Sequence, residues 1–232
     1  MNKKNIVALL PMKANSHRVK GKNFKEFCGK PLFHWILDTL LKITEIDQII
    51  INTDARHILA TNGLVNSDRI MIRDRKPEIC GDLVSMNLIL ADDIAHVAAD
   101  VYLMTHTTNP FLQIDTIRTA LFTFQNAYKD NIADSLFTVN KVQTRFYRKD
   151  CTPVNHDPNN LVRTQDLEPW FEENSNLYIF TSDSFAKTSA RIGEKPMMFE
   201  SPEFESVDID SPSDWNFAEV TAQYLKNNRN LQ

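Results

Sequence analysis

Apolar residues recur along this chain in two alternating rhythms. "NIVALLP" is a short unbroken apolar run closed by Pro11, the pattern of a buried strand. "PLFHWILDTLLKI" spaces its apolar residues as a helix does, with Pro31 near its start. "IDQIIINTD" and "DRIMIRD" read as strands, "SMNLILADDIAHV" as a helix, and "DVYLMTHTTNP" as a strand running into a polar loop. "IDTIRTALFTFQNAY" is a further amphipathic helix, and "DSLFTVNKV" a further strand. Strands alternating with helices predict an α/β fold: a mainly parallel sheet flanked by helices on both faces.

Such sheets bind ligands beyond the carboxyl ends of their strands. Three polar segments fall at that edge: the loop after the first strand, "INTD" and "MTHTTNP". The rhythm breaks across residues 145–171, "RFYRKDCTPVNHDPNNLVRTQDLEPWF", which is polar, holds internal prolines and has aromatics near both ends. This stretch is expected to be a small insertion of short strands or a hairpin, a candidate oligomer contact. "NSNLYIFTSD" returns to strand, and "FESVDIDSPSDWNFAEVTAQYL" predicts a strand, a turn and a closing helix.

Composition narrows the class. With 232 residues the chain fits a single domain, 1–232, that carries the small insertion. A net charge of -4 argues against a nucleic-acid binder. Cys28, Cys80 and Cys151 are too widely spaced for a metal cluster and suit free thiols in a reducing cytoplasm. The opening "MNKKNIVALLPMK" lacks the long apolar run and small-residue cleavage site of a secretion signal, and no run is long enough to span a membrane. The expected location is cytoplasmic.

Against that acidic balance, the stretch from Lys13 to Lys25 holds Lys13, Arg18, Lys20, Lys22 and Lys25, with Ser16 and His17 and no acid. It has neither the Walker A spacing nor a GxGxxG turn. Two readings stand: a polyphosphate cradle of lysines and backbone N–H groups, or a solvated basic loop. Near the other end, Asp208 and Asp210 alternate with Val207 and Ile209. In a strand both carboxylates face one way and suit Mg2+, which takes one or two carboxylates plus phosphate oxygens. The competing reading makes them caps for the next helix, through Asp210 or Ser211. A phosphate loop with a two-Asp metal site points to phosphoryl or nucleotidyl transfer.

These residues carry a resemblance. "PMKANSHRVKGKN" resembles the P-A-R-x-x-S-x-x-x-x-x-K-N signature of the acylneuraminate cytidylyltransferases, the CMP-sialic acid synthetase family, through Pro11, Lys13, Ser16, Lys22 and Asn23. "RKPEICGDLVS" resembles that family's R-P-x-x-L-x-x-D-x-x-S segment through Arg75, Asp82 and Ser85. "HTTNPF" stands for its Q-P-T-S-P-L stretch, "ENSNLYIF" for N-G-x-x-Y, and "SVDIDSPSD" for I-D-I-D-x-x-x-D. The motifs occur in the family's order over nearly the whole chain.

The resemblance implies a Rossmann-like nucleotidyltransferase that works as a homodimer. It implies transfer of CMP from CTP, with Mg2+, to the anomeric hydroxyl of a 2-keto-3-deoxy sugar acid, giving a CMP-sugar and pyrophosphate. By carry-over, Lys13, Ser16, Lys22, Asn23, Arg75 and Ser85 bind the nucleotide. Lys22 stabilises transition-state charge, and Asp208 and Asp210 hold the metal, with Asp210 also catalytic. On the sugar side stand His106, Arg163 and Gln165, with Arg145 or Arg148 adding charge. Lys13 replaces the signature arginine, and His106 falls where the family has glutamine. Those departures put N-acetylneuraminate itself in question, with a related nonulosonic or octulosonic acid at least its equal as the expected acceptor; "KGKN" (Lys20–Asn23) resembles the sialic-acid-type branch, so the reading is a sialic-acid-like nonulosonate. Lys13 and His106 also keep a sugar-phosphate transferase using another base, such as GTP, as the alternative. A binding protein that kept the fold, and a glycosyltransferase with an Asp-x-Asp metal pair, are weaker readings.

Overall fold

The computed structural model describes residues 4–229. Its chain order opens with β1 (Ile6–Leu9), a small hairpin of β2 (Glu26–Phe27) and β3 (Lys30–Pro31), α1 (Leu32–Leu41), β4 (Gln48–Thr53), α2 (Arg56–Thr61) and β5 (Ile70–Asp74). Then come α3 (Met86–His96), β6 (Val101–Thr105), α4 (Ile114–Lys129), β7 (Ser135–Val142), β8 (Trp170–Phe180), α5 (Ser182–Thr188), β9 (Pro196–Glu200) and α6 (Pro212–Arg229).

Seven strands form one sheet in the order β5-β4-β1-β6-β8-β7-β9. Pairing is parallel from β5 to β6, and β7 pairs parallel with β9; β8 alone runs antiparallel to its neighbours β6 and β7. The mainly parallel α/β sheet expected from the rhythm is therefore present. Central strand β1 is buried along its whole length, which is why it reads as an unbroken apolar run. Alternation still sorts its side chains. Ala8 packs on one face with Phe33, Ile36, Leu40 and Phe124 from α1 and α4. Val7 and Leu9 pack on the other with Leu90 of α3 and Phe185 of α5.

A third apolar cluster lies off the sheet and fixes the functional edge. It joins Val19 of the basic loop, Phe27 of the hairpin, Phe111 after β6, Ile209, and Trp215 and Ala218 of α6. Each large apolar side chain buried there contributes about 1.5–3 kcal/mol, so the basic loop, the hairpin, the segment after β6, the Ile209 segment and α6 are held together at this corner.

Several local expectations change. "SVDID" joins no strand; Ile209 N instead donates to Thr108 O at 2.9 Å. One bond is enough to keep the segment extended, because Ile209 is anchored in the third cluster. Trp170 and Phe171 open β8 rather than closing the insertion, since they pair with Val142 and Lys141. The polar stretch before them holds a Tyr147–Pro153 bridge and a short 3-10 turn, Thr164–Asp166. Helices α2 and α5 and strand β9 were not anticipated; all three are short. Among the described residues, no helix is long and apolar enough to cross a membrane.

Candidate active site

A cavity of about 500 Å3 opens beyond the carboxyl ends of β1, β5 and β6; of the three polar segments expected to meet there, the loop after β1 and "MTHTTNP" line it, and "INTD" does not. Pro11, Lys13, Ser16, His17, Arg18, Lys22, Asn23, Arg75, His106, Asp208 and Asp210 all line it. A second cavity, of about 600 Å3, lies between α1 and α6 and holds none of these residues.

The basic loop is built, not merely solvated. Met12 N donates to Asn52 O and Ala14 N to Asp54 Oδ1, which staples the loop to the end of β4. Val19 buries in the third cluster, and a turn at Gly21, at φ 63°, brings Lys22 inward. Lys22 is 8% exposed; its Nζ donates to Ile209 O at 2.5 Å and to Asp210 Oδ1 at 2.9 Å. Asn23 is a strut: its Nδ2 donates to Lys13 O, and its Oδ1 accepts from Thr107 Oγ1 at 2.6 Å.

The capping question for the acids is resolved by Ser211. Its hydroxyl accepts from Asp214 N, while Asp214 Oδ2 accepts from Ser211 N at 2.7 Å. This reciprocal box starts α6 and leaves the side chain of Asp210 to Lys22 and Arg18, whose Nη2 lies 2.7 Å away. Asp208 is more deeply set, and its Oδ1 is buried with no hydrogen-bond partner. The pair is electrostatically split. Burial raises Asp208, with Asp210 adding to the effect. Burial acts the same way on Asp210, but Lys22 and Arg18 more than offset it and hold that carboxyl low.

At the mouth, Asp82 accepts from Lys13 Nζ at 2.5 Å and contacts His17 Nε2 at 2.6 Å. The Lys13 hydrogen bond, aided by His17, keeps Asp82 below the usual carboxylate range. Arg75 lines the cavity from a buried position. Its guanidinium donates to Met12 O, Asn52 O and Asn52 Oδ1, so its visible work is to lock the basic loop onto β4. Ser85 caps α3, accepting from Asn87 N, and stands between the lining residues Val84 and Met86.

His106 is partly open to the cavity and enclosed by protein elsewhere. Burial, with Arg191 and Lys22 nearby, pushes its pKa down to about 3, so the ring is neutral. Arg163 and Gln165 are not brought to this cavity. Arg163 forms a two-point ion pair with Asp166, and the backbone carbonyl of Gln165 accepts from Gln143. Two features went unread in the sequence: that Asp82 faces the basic loop, and that Arg191 lies near enough to His106 to help lower its pKa. Asp82 was visible as a motif residue; Arg191 follows α5 in a segment with no motif.

The site's chemistry is thus a buried ammonium, a basic loop and two unlike carboxylates, gathered at one sheet edge. Residues 7–225 match the Cytidylyltransferase family. The chain belongs to that family. It is 26% identical over 228 residues to the CMP-N,N'-diacetyllegionaminic acid synthase of Legionella pneumophila, covering 92% of this chain and 94% of the relative. It is 23% identical to the pseudaminic acid cytidylyltransferase of Campylobacter jejuni, covering 92% and 94%. Among solved structures it resembles a CMP:2-keto-3-deoxy-manno-octonic acid synthetase complexed with CTP, at TM-score 0.66 and 14% identity, over 96% of this chain and 99% of that one. At that identity the likeness concerns the cytidylyltransferase fold alone. Membership of the family agrees with the resemblance carried by the motifs.

Proposed function

We propose that this cytidylyltransferase transfers CMP from CTP to the anomeric hydroxyl of a sialic-acid-like nonulosonate, releasing pyrophosphate. The names of the relatives support that acceptor class. The observation that carries the reading is the buried Lys22 ammonium, fixed against the Asp208–Asp210 segment at the edge of a basic loop.

In this reading Lys13, Ser16, Arg18 and Lys22 receive the triphosphate. The anomeric oxygen forms a bond to the α-phosphorus, and the bond from that phosphorus to the pyrophosphate oxygen breaks. Lys22 meets the charge that develops there, where low exposure strengthens its field. The hydroxyl proton leaves to a carboxylate. Asp208, raised by its burial, is the more basic of the pair and shares that role with Asp210. Asn23 and Arg75 act by holding the loop in place.

The donor set suits a divalent cation: two carboxylates, one with a buried unpartnered oxygen, beside a site for phosphates. Asp208 and Asp210 would hold Mg2+, which as a Lewis acid lowers the charge on the phosphate oxygens.

We further place the enzyme in the cytoplasm as a homodimer. Its three cysteines are free. The 145–171 stretch exposes Tyr147, Val154, Leu161, Val162, Trp170 and Phe171, an apolar surface suited to a second copy. Arg163, on that stretch and away from this chain's own cavity, is then available to the partner's acceptor.

The test is product identification by mass spectrometry from CTP, Mg2+ and N,N'-diacetyllegionaminic acid, pseudaminic acid or N-acetylneuraminic acid. A CMP-linked sugar from one of them is the expected result. Its absence with all three, from folded protein, contradicts the proposal.

A further inference from the structure

Arg75 is held by a chain of buried side chains that ends on α3, away from the cavity. Its Nε donates to Asn52 Oδ1 at 2.9 Å, and Asn52 Nδ2 donates to Asp93 Oδ1 at 2.8 Å. Arg73, on β5, donates to the same Asp93 oxygen and, through Nη2, to Asp92 Oδ2 at 3.0 Å. Asn52 and Asp93 are fully buried, and Arg75 is 9% exposed. Of these residues only Arg75 lines the cavity, and none of the motifs named above includes Asp93.

An asparagine amide has a donor end and an acceptor end. Here the acceptor end faces Arg75 and the donor end faces Asp93. Turned over, the amide would set Nδ2 against the Arg75 Nε–H and Oδ1 against the Asp93 carboxyl, opposing buried polar groups at both ends. Asp93 therefore fixes which way Asn52 points. Asn52 in turn fixes the Arg75 guanidinium, whose Nη2 donates to Met12 O at 3.0 Å and to Asn52 O at 2.8 Å. Met12 immediately precedes Lys13, and its own N–H returns to Asn52 O at 3.0 Å. The relay thus runs from α3, through the end of β4, to the start of the basic loop.

Only one Asp93 oxygen takes part. Oδ1 accepts from both Asn52 and Arg73, while Oδ2 is buried with no hydrogen-bond partner. The position calls for one accepting oxygen under two donors rather than for a carboxylate as such.

We propose that Asp93 is a positioning residue for nucleotide binding: it orients the Asn52 amide, which holds Arg75 and through it the basic loop in the shape that receives CTP. This inference rests on the reading of the cavity as the CTP site and adds a residue that acts on that site from outside it.

The test is calorimetric titration of CTP with Mg2+, which needs no acceptor sugar. Asp93→Ala should raise the dissociation constant for CTP by about 10-fold or more, the worth of one hydrogen bond to a charged group. Asn52→Ala should do the same, and the double variant should bind CTP as Asn52→Ala does, because both changes break one relay. Asp93→Asn has to place its oxygen under the two donors, so it should stay within about threefold of the wild type. Asp92→Asn disturbs the ion pairs of Arg73 and Lys76 but not the bond to Asn52, and it should bind CTP as the wild type does.

A normal dissociation constant in Asp93→Ala overturns the proposal. If that variant does not fold, Asn52→Ala carries the same test, and normal CTP binding there overturns it. So do additive losses in the double variant, a loss in Asp93→Asn as large as in Asp93→Ala, or an equal loss in Asp92→Asn, each of which marks a general loss of packing. Wild-type protein that does not bind CTP overturns the functional reading and this inference together; CTP binding that none of these variants weakens overturns this inference alone.

Discussion

Lys22 and Asp210 form a 2.9 Å ion pair in which the lysine is almost sealed and the aspartate is 40% exposed. The asymmetry matters. The lysine is held by the fold, through its second bond to Ile209 O, whereas the aspartate retains an open side toward the cavity. A fixed cation facing a space for phosphate is preorganised for charge that appears during reaction.

Lys22→Ala should therefore lower kcat by about 100- to 1,000-fold, with KM for the sugar acid little changed. Steady-state kinetics check this. A rise in KM alone would make Lys22 a simple binding residue.

Asp82 occupies Lys13 and His17 at the mouth, so a triphosphate must displace it. Both partners depress the Asp82 carboxyl, and it stays ionised through the neutral range. Asp82→Asn should lower the dissociation constant for CTP by about 2- to 5-fold at low salt, with a smaller gain at high salt. Calorimetric titration at two ionic strengths measures this. Weaker CTP binding in the variant would show instead that Asp82 helps to hold the nucleotide.

For the proposed metal, the unpartnered Asp208 Oδ1 gives a direct readout. Mg2+ should raise the thermal midpoint of the wild type, and Asp208→Asn should lose most of that rise. A shift that survives in Asp208→Asn places the ion elsewhere. The raised Asp208 also sets a sign: it takes up a proton more readily than an ordinary carboxyl, so the Mg2+ requirement should grow as pH falls.

His106 makes a second pH prediction. Its folded pKa, about 3, lies below the ordinary 6.5. Between those values the unfolded chain binds the proton and the folded chain does not, so stability falls as pH falls from about 6.5 toward 3. At pH 5 the loss relative to pH 7 is about 1–2 kcal/mol. Denaturant unfolding of His106→Gln should show a flatter acid slope; an unchanged slope would assign the acid sensitivity to other groups.

The sheet was legible because buried parallel strands and amphipathic helices write different rhythms, as β1 and α4 show. The site edge was legible because its loops follow strands. What stayed hidden depended on tertiary contacts. "SVDID" alternates like a strand, yet Ile209 obtains its burial from Trp215 and Phe27 rather than from a sheet. Strand β9 is a half-exposed edge, so it carries no continuous apolar run. Arg191 has no local pattern at all; only the fold of the loop after α5 sets it over Tyr178. Arg75 was legible as a site residue, but its bonds to Met12 O and Asn52 show a bracing role that sequence alone does not distinguish from nucleotide contact.

The central claim is CMP transfer from CTP to a nonulosonate. Its most direct test is pyrophosphate release with Mg2+, pairing CTP, GTP, UTP and ATP with nine- and eight-carbon 2-keto sugar acids. The expected result is release with CTP and a nine-carbon acid, strongly reduced in Lys22→Ala. Release with GTP and none with CTP, or none with any pair from folded protein, would contradict it.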